Sequence, residues 1–238
     1  MSRTPARKPA PRRAREQRVD QILEAARQVF CEKGYDHAAV AEIAARTGVA
    51  EPTVFKYFPT KRELLLSVLG HWYEEMFGDY ARDLAGVAGA RERLRLLVWR
   101  HLRSIREYPQ LCHLMFREVR AGSDYRGSAV HAMNRRYTRL LMDTVQAGVA
   151  SGEFRGDVPV VLLRDLVYGG IEHYAWHYLS RGKALDIDKT AQQIVGVLCD
   201  GIVSGRDSGF GEAQQPFANR EFSIRSAGGS AMNSLGRS

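Results

Sequence analysis

Apolar residues recur at intervals of three and four along most of this chain, which is the spacing of one face of an α-helix. The first such stripe consists of Val19, Ile22, Leu23, Ala26, Val29 and Phe30. Further stripes predict two short helices within 40–59 and longer helices at 61–77, 94–105, 111–120, 124–150, 160–179 and 190–203. A glycine-rich loop is predicted at 78–89. With no repeat and no strand pattern, the sequence predicts an all-α fold.

Residues 40–59 contain two short amphipathic segments joined at Gly48, a residue that readily adopts the left-handed backbone of a tight turn. Ala44 is small enough for two helices to cross beside it. An ordinary helical hairpin uses the same pattern. However, three aromatic residues lie within 55–58, and one small core cannot bury all three rings. The segment is therefore predicted to be a helix-turn-helix that binds DNA.

Five short motifs occur in order: Phe30 with Gly34, Ile43-Ala44, Thr47-Gly48-Val49, Thr53-Val54-Phe55-Lys56-Tyr57-Phe58 and Lys61-Arg62-Glu63-Leu64. On these motifs residues 19–66 resemble the DNA-binding domain of the TetR family of bacterial regulators. The resemblance implies an N-terminal three-helix helix-turn-helix domain, here 16–62, and a C-terminal helical ligand-binding and dimerisation domain, here 63–206. It also implies residues that bind DNA: Ala39, Glu51, Pro52, Thr53, Phe55, Lys56, Tyr57 and Lys61.

Three positions depart from the family pattern. Ser or Thr usually precedes the second and third helices and caps their free amides, but this chain has Ala39 and Ala50 there. Because a lost N-cap costs about 1 kcal/mol, these helix starts are predicted to be less well held. Phe55 stands where Tyr is usual, which removes one hydroxyl contact and leaves the ring to pack against a sugar or a thymine methyl.

Positive charge is concentrated at the N-terminus. Residues 1–18 hold seven Arg or Lys against Glu16 alone, which accounts for most of the formal net charge of +8. Three prolines oppose a packed helix before about Ala14, so residues 1–15 are predicted to be a disordered basic arm. Such an arm can follow the DNA backbone or enter the minor groove. A solubilising tail and a mitochondrial transit peptide are the alternatives.

Other features narrow the class of protein. The chain has neither a secretory signal nor an apolar stretch long enough to span a membrane, so a cytoplasmic protein with no membrane partner is predicted. Cys31, Cys112 and Cys199 are widely spaced, which favours neither a disulfide framework nor a metal site. No cofactor is predicted. The Gly/Ser-rich residues 207–238 are predicted to be a disordered tail.

The segment 160–179 is apolar around most of its circumference, so as a helix it must be covered on two sides. Gly169-Gly170 lowers its helix stability, and close approach of a neighbouring helix is the usual compensation. Together with 190–203 it is predicted to form a four-helix bundle with a second copy of the chain. The same helices dimerise in the family resembled here, which implies a homodimer on a palindromic operator of double-stranded DNA.

The resemblance also implies a cavity for a small-molecule effector in the second domain. The candidate lining residues are Trp72, Met76, Trp99, His113, Phe116, Tyr137, Tyr168, Glu172, His173 and Trp176. Such amphipathic groups line ligand pockets, although each can equally be a core residue. A pocket rich in aromatic and His residues, without an acidic cluster, favours a large apolar or weakly anionic effector such as an acyl compound or an aromatic metabolite.

The sequence therefore predicts a ligand-responsive DNA-binding regulator, a repressor whose effector moves helix 61–77 and misaligns the two recognition helices. Activation of transcription by the same architecture stays open. An enzyme or metal protein using His113, Glu118, Glu172, His173 and His177 is the alternative, but no catalytic motif accompanies these residues, so the chain is predicted not to be an enzyme. A sequence-neutral DNA binder driven by the basic arm is the third possibility.

Overall fold

The computed structural model describes residues 11–181 and 185–202, and at 11, 12, 176, 177, 179–181 and 202 it describes the backbone alone. The described residues form helices and no strand, which confirms the all-α prediction. The helices are α1 (Pro11–His37), α2 (Val40–Thr47), α3 (Glu51–Tyr57), α4 (Lys61–Ala85), α5 (Ala90–Glu107), α6 (Pro109–His113), a π-helical turn (Leu114–Val119), α7 (Ala129–Ala150), α8 (Val160–Arg181) and α9 (Ile187–Ile202).

Helices α1 to α3 form a small helical unit around one apolar core. Ile22 of α1, Ile43 of α2 and Val54 of α3 are completely buried there. Gly34, with φ 73°, interrupts the regular backbone of α1 near its end. Gly48 ends α2 in the left-handed conformation, with φ 66°, as a tight turn into the next helix requires. The two short helices therefore meet as the sequence predicted.

Helix α4 runs out of this unit into the rest of the molecule. It begins with a side-chain cap, because Thr60 Oγ1 accepts a hydrogen bond from the Glu63 amide at 3.0 Å. It packs against α1 at one end and against α7 further along. The loop predicted at 78–89 is wrong in its first part: the helix continues to Ala85, because Tyr80 is buried on its inner face and holds the extra turns in the core.

The larger helical part is built around α5, which packs against α7, α8 and α9. Leu97, Leu102 and Ile105 of α5 are almost fully buried. Cys112 and Cys199 are buried without a disulfide. The described residues belong to one compact unit, and the boundary predicted between 62 and 63 falls inside α4.

Several predicted boundaries differ from the structure. Helix α1 begins at Pro11, so residues 11–15 of the predicted arm are helical, since a proline is tolerated in the first turn. Helix α7 begins at Ala129 rather than at 124, because Ser128 Oγ accepts from the His131 amide and caps the helix there. The helix predicted at 111–120 is α6 followed by the π-helical turn. Residues 1–10 and the tail 207–238 lie outside the described residues.

Candidate functional site

Helix α3 is buried on one side and exposed to solvent on the other. Val54 is completely buried and Phe58, which follows the helix, is almost so. The remaining side chains are exposed or half-buried: Glu51, Pro52, Thr53, Phe55, Lys56 and Tyr57. Phe55 is 38% exposed, which is unusual for so large an apolar ring. Helix α3 therefore offers an outward surface long enough to enter a DNA groove.

The helices that flank the turn begin without a side-chain cap. Ala39 and Ala50 occupy the N-cap positions with extended backbones, and neither side chain can accept a hydrogen bond. The amides of Glu42 and Thr53 instead bond to the carbonyl oxygens of Ala39 and Ala50, at 3.2 and 2.8 Å. Proline at 52 removes one further free amide. The starts of α2 and α3 are therefore the weakly capped ends predicted from the sequence.

Ion pairs fasten α2 to α1 beside this surface. Arg46 bonds Glu32 at 2.5 Å and Glu42 at 3.0 Å, and Lys33 bonds Glu42 at 2.5 Å. Hydrogen bonds from Arg46 lower the pKa of Glu32, and those from Lys33 and Arg46 lower the pKa of Glu42. All four groups are at the surface, so the network fixes the orientation of the helices more than it adds stability.

Two cations near the end of α3 are already engaged within the chain. Lys61 donates to the Asp36 carbonyl at 3.1 Å, and its ammonium lies 4.7 Å from the centre of the Tyr35 ring. Arg62 bonds both carboxylate oxygens of Asp124, at 2.8 and 2.7 Å, and donates to the Glu118 carbonyl at 2.9 Å. Arg62 thus joins the start of α4 to the end of the π-helical turn and to the segment that follows it.

A cavity of about 630 Å³ lies in the larger part of the molecule, between α4, α5, α7 and α8. Its apolar lining is aromatic and sulfur-bearing: Trp72, Tyr73, Met76, Cys112, Met115, Phe116, Tyr137 and Tyr168. A cavity of this size and composition matches sites that bind small molecules. Arg62 reaches the same segment, 118–124, that supplies Arg120 to the lining.

Polar side chains of the cavity lining hydrogen-bond to one another or to residues just behind the lining. Tyr80 and Tyr137 share a hydrogen bond at 2.9 Å, and the Tyr137 hydroxyl lies 2.8 Å from Nδ1 of His101. Arg120 bonds both carboxylate oxygens of Glu172, at 2.7 and 2.8 Å. Burial raises the pKa of Glu172, and Arg120 opposes that rise. Burial also lowers the pKa of His101 to about 3, so its ring is neutral.

The exposed part of the cavity lining, called its mouth below, is cationic. Arg126 and Arg135 line it, both are exposed, and neither forms an ion pair with any other described residue. Arg164, which also lines it, bonds its neighbour Asp165. The cavity therefore combines an apolar interior with unpaired positive charge at its opening, a combination suited to an amphiphilic anion.

The structure brings together six of the ten predicted lining residues: Trp72, Met76, Phe116, Tyr137, Tyr168 and Glu172. Three others are not part of this lining. Trp99 lies between α5 and α9, where its Nε1 donates to Asp188 at 2.8 Å, His113 is half-buried elsewhere, and His173 is exposed. The side chain of Trp176 lies outside the described residues.

Apart from Glu172, the sequence analysis did not identify the polar members of the lining. His101 fell on the apolar stripe of its helix, and a His at such a position is the signal that could have been used. Arg126 and Arg135 resemble ordinary surface charges in the sequence, because only the tertiary packing of α7 and of the loop before it brings them to the mouth.

Helices α8 and α9 expose an apolar surface. Its large side chains are 44% to 77% exposed: Val161, Leu162, Leu166, Tyr174 and Val197. Beyond the nearby backbone of α8 itself, a Cβ placed at Gly169 or Gly170 would meet no described atom within 4 Å, so the predicted close helix neighbour is not supplied from within the described chain. Monomeric proteins rarely expose an apolar surface of this kind.

The described residues also bear on other classes of protein. They contain no group of three or more His, Cys, Asp or Glu side chains able to hold a metal ion. None of their helices is long and apolar enough to cross a membrane.

Comparison with known families gives matches in both parts of the chain. The family model described as bacterial regulatory proteins, tetR family, matches residues 22–68. The model described as tetracyclin repressor-like, C-terminal domain, matches residues 87–202. The two matches together cover the helix-turn-helix and the part of the cavity lining that follows residue 86, whereas Trp72, Tyr73 and Met76 of α4 lie between them.

Individual relatives agree with these models. The chain is 25% identical over 182 residues to the fatty acid metabolism regulator protein of Bacillus subtilis (strain 168), covering 76% of this chain and 94% of that protein. It is 26% identical over 193 residues to the HTH-type transcriptional repressor KstR2 of Mycolicibacterium smegmatis, covering 79% and 92%. Among solved structures it resembles the transcriptional regulator FadR from Bacillus subtilis in complex with stearoyl-CoA, with a TM-score of 0.69, 25% identity, and coverage of 77% and 98%.

Proposed function

The chain belongs to the TetR family of bacterial regulatory proteins, and on that premise we propose that it is a homodimeric transcriptional repressor released from a palindromic operator by an amphiphilic, acyl-type effector. It is a binding protein and not an enzyme. The proposal of such an effector is supported by the cavity of about 630 Å³, which has an apolar interior and a cationic mouth.

DNA binding is assigned to the outward surface of α3. Glu51, Pro52, Phe55 and Lys56 are exposed there and can reach base edges and sugars, while Thr53 is placed to bind a phosphate. Tyr57 and Lys61 are assigned phosphates on the same side, with Ala39 close to the backbone at the start of α2. Lys61 has three donors, so its bond to the Asp36 carbonyl leaves others available.

Dimerisation is assigned to α8 and α9. A second copy placed on this surface would bury Leu166, Tyr174 and Val197, which are 55%, 44% and 77% exposed in the single chain. Gly170 lies in the groove that these three side chains line, and its open backbone would let the partner helix approach closely. A two-fold axis through such an interface presents two copies of α3 to successive half-sites of a palindrome.

The effector is assigned to the class of long-chain acyl thioesters with an anionic head. Tyr73, Met76 and Tyr168 provide apolar walls for a chain, and Arg126 and Arg135 provide unpaired charge for phosphates at the mouth. The crystal structure of FadR from Bacillus subtilis, which this chain resembles, contains stearoyl-CoA. A free alkyl chain would leave the cationic mouth without a partner.

Coupling between the cavity and DNA is assigned to Arg62. Its guanidinium holds Asp124 and the Glu118 carbonyl, and the segment 118–126 supplies Arg120, Tyr125 and Arg126 to the cavity lining. A ligand that shifts this segment pulls on the first turn of α4, directly after α3. The effector acts as a switch if it binds one spacing of the two recognition helices more tightly than the other.

The proposal is tested by selecting operator sequences from genomic fragments with the purified full-length chain and then titrating a selected duplex by fluorescence anisotropy. Palmitoyl-CoA is expected to weaken operator binding, whereas free CoA and palmitate, which each lack one half of the ligand, have a smaller effect. The double variant Arg126→Gln with Arg135→Gln is expected to lose most of the response to palmitoyl-CoA. Equal DNA affinity with and without every acyl-CoA tried would refute the switch.

A further inference from the structure

Two buried nitrogen atoms in the cavity lining lack a hydrogen-bond partner among the described residues. They are Nε2 of His101 and Nε1 of Trp72, on residues that are only 7% and 5% exposed. Most buried polar side-chain atoms in proteins are paired, because an unpaired one loses its water without compensation. Both residues line the large cavity. One unpaired nitrogen on α4 and one on α5 therefore suggest that a ligand in the cavity hydrogen-bonds to both atoms.

The bonding of His101 fixes which atom is available. Nδ1 is occupied by the Tyr137 hydroxyl at 2.8 Å, and Tyr137 in turn contacts the Tyr80 hydroxyl at 2.9 Å. When Tyr80 donates to Tyr137 and Tyr137 donates to Nδ1, the hydrogen of the neutral ring is on Nε2, which becomes a donor. The reverse order leaves a lone pair on Nε2. A hydroxyl group on the ligand satisfies either order, and a ketone satisfies the first.

The indole nitrogen of Trp72 can only donate, so its partner must be an acceptor. Trp72 also borders a neighbouring cavity of about 80 Å³, whereas His101 belongs to the lining of the large one. The surroundings are aromatic: the Tyr168 ring stands perpendicular to the His101 ring with the centres 4.9 Å apart. A neutral oxygen fits such surroundings better than a carboxylate, which would have to be desolvated beside a neutral imidazole.

We propose that the effector carries a neutral oxygen, a hydroxyl or a ketone, within its apolar part, and that His101 and Trp72 select for it. This inference rests on the proposed function, because it specifies the ligand of the same cavity. The plain acyl chain is then a weaker effector than its oxygenated counterpart, and the aromatic end of the cavity discriminates between them.

The test compares stearoyl-CoA with its mid-chain hydroxy and keto derivatives, using ligand-induced thermal shift and release of a selected operator. One good hydrogen bond at a buried site corresponds to about a ten-fold tighter binding of an oxygenated derivative. His101→Phe and Trp72→Phe remove the two nitrogens and are expected to reduce or abolish this preference. Two variants are used so that one remains informative if the other is unfolded.

Trp99→Phe is the matched control, because it removes an indole N–H that bonds Asp188 away from the cavity. Its preference for oxygenated derivatives is expected to equal that of the unmodified chain. If stearoyl-CoA and all its derivatives release the operator equally well, this inference is overturned and the proposed function stands. If no derivative binds, both fail. A preference that survives both Phe substitutions also overturns the role given to the two nitrogens.

Discussion

The start of α2 is one of the two uncapped helix starts in the described DNA-binding unit, and Ala39→Ser should strengthen it. Ala39 has the extended backbone of an N-cap residue, with φ −99° and ψ 133°, but no side-chain acceptor. Thr60, at the start of α4, has the same role and does accept a hydrogen bond, from the Glu63 amide at 3.0 Å. Helix α2 has eight residues, so the capping of one end affects a large part of it.

The size of the effect follows from this geometry. Ala39 is exposed, so a hydroxyl can be added without displacing a neighbour. The new oxygen would accept from the Glu42 amide, which now bonds the Ala39 carbonyl at a long 3.2 Å. Capping of this kind contributes about 1 kcal/mol, which corresponds to a rise in Tm of roughly 2–4 °C for a chain of this size. The Glu42 carboxylate is already paired with Lys33 and Arg46, so no reciprocal bond from it is included.

Thermal and urea unfolding of the full chain measure the change, and Ala41→Ser is the matched control. Ala41 is exposed in the first turn of the same helix, where the same substitution loses about 0.5 kcal/mol of helix propensity. The two variants should therefore shift the unfolding midpoint in opposite directions. Operator affinity is expected to increase in Ala39→Ser, because the hydroxyl can also meet a phosphate. If Ala39→Ser is no more stable than Ala41→Ser, the reasoning about the uncapped start is refuted.

Three further predictions concern the switch, the dimer and pH. Arg62→Gln should still bind the operator, but the effector should no longer weaken that binding by the roughly 5–150-fold, or about 1–3 kcal/mol, that is typical of allosteric coupling. Anisotropy titrations with Arg139→Gln as the control measure this. An unchanged response to the effector would show that Arg62 does not couple the cavity to DNA. Leu166→Asp should make the chain monomeric by light scattering, whereas Gln146→Asp, on the exposed side of α7, should not. Folding lowers the pKa of His101 from 6.5 to about 3, so between these pH values the unfolded chain binds a proton that the folded chain does not. Stability against urea should therefore fall as the pH drops below about 6.5, and it should fall less steeply in His101→Phe. Equal slopes for the two proteins would contradict the burial argument.

Local periodicity was sufficient to predict most helices and the helix-turn-helix, because their stripes are regular and short in range. Its errors occur where tertiary packing overrides local signals. The glycine at 78 suggested a loop, but Tyr80 is buried beyond it and keeps α4 helical to Ala85. The start of α7 depended on a cap at Ser128 that the apolar stripe does not reveal. The periodicity of apolar residues cannot predict a cavity, because residues that line a cavity and residues of the core recur at the same intervals.

Tertiary contacts that the sequence does not reveal also determine the role of Arg62, one of the two cations that follow α3. In the sequence, Arg62 directly follows the predicted DNA-binding residue Lys61, and its place beside an aromatic helix suits a phosphate contact. In the structure, Arg62 pairs with Asp124, sixty-two residues further on, and its guanidinium also holds the Glu118 carbonyl. A charge that would have contributed to DNA affinity instead connects the DNA-binding unit to the segment that lines the cavity. An ion pair between two elements can be altered by a ligand that touches only one of them. Arg62 paired with Asp124 therefore lets operator affinity respond to a ligand in the cavity, which a direct contact from Arg62 to a phosphate would not do.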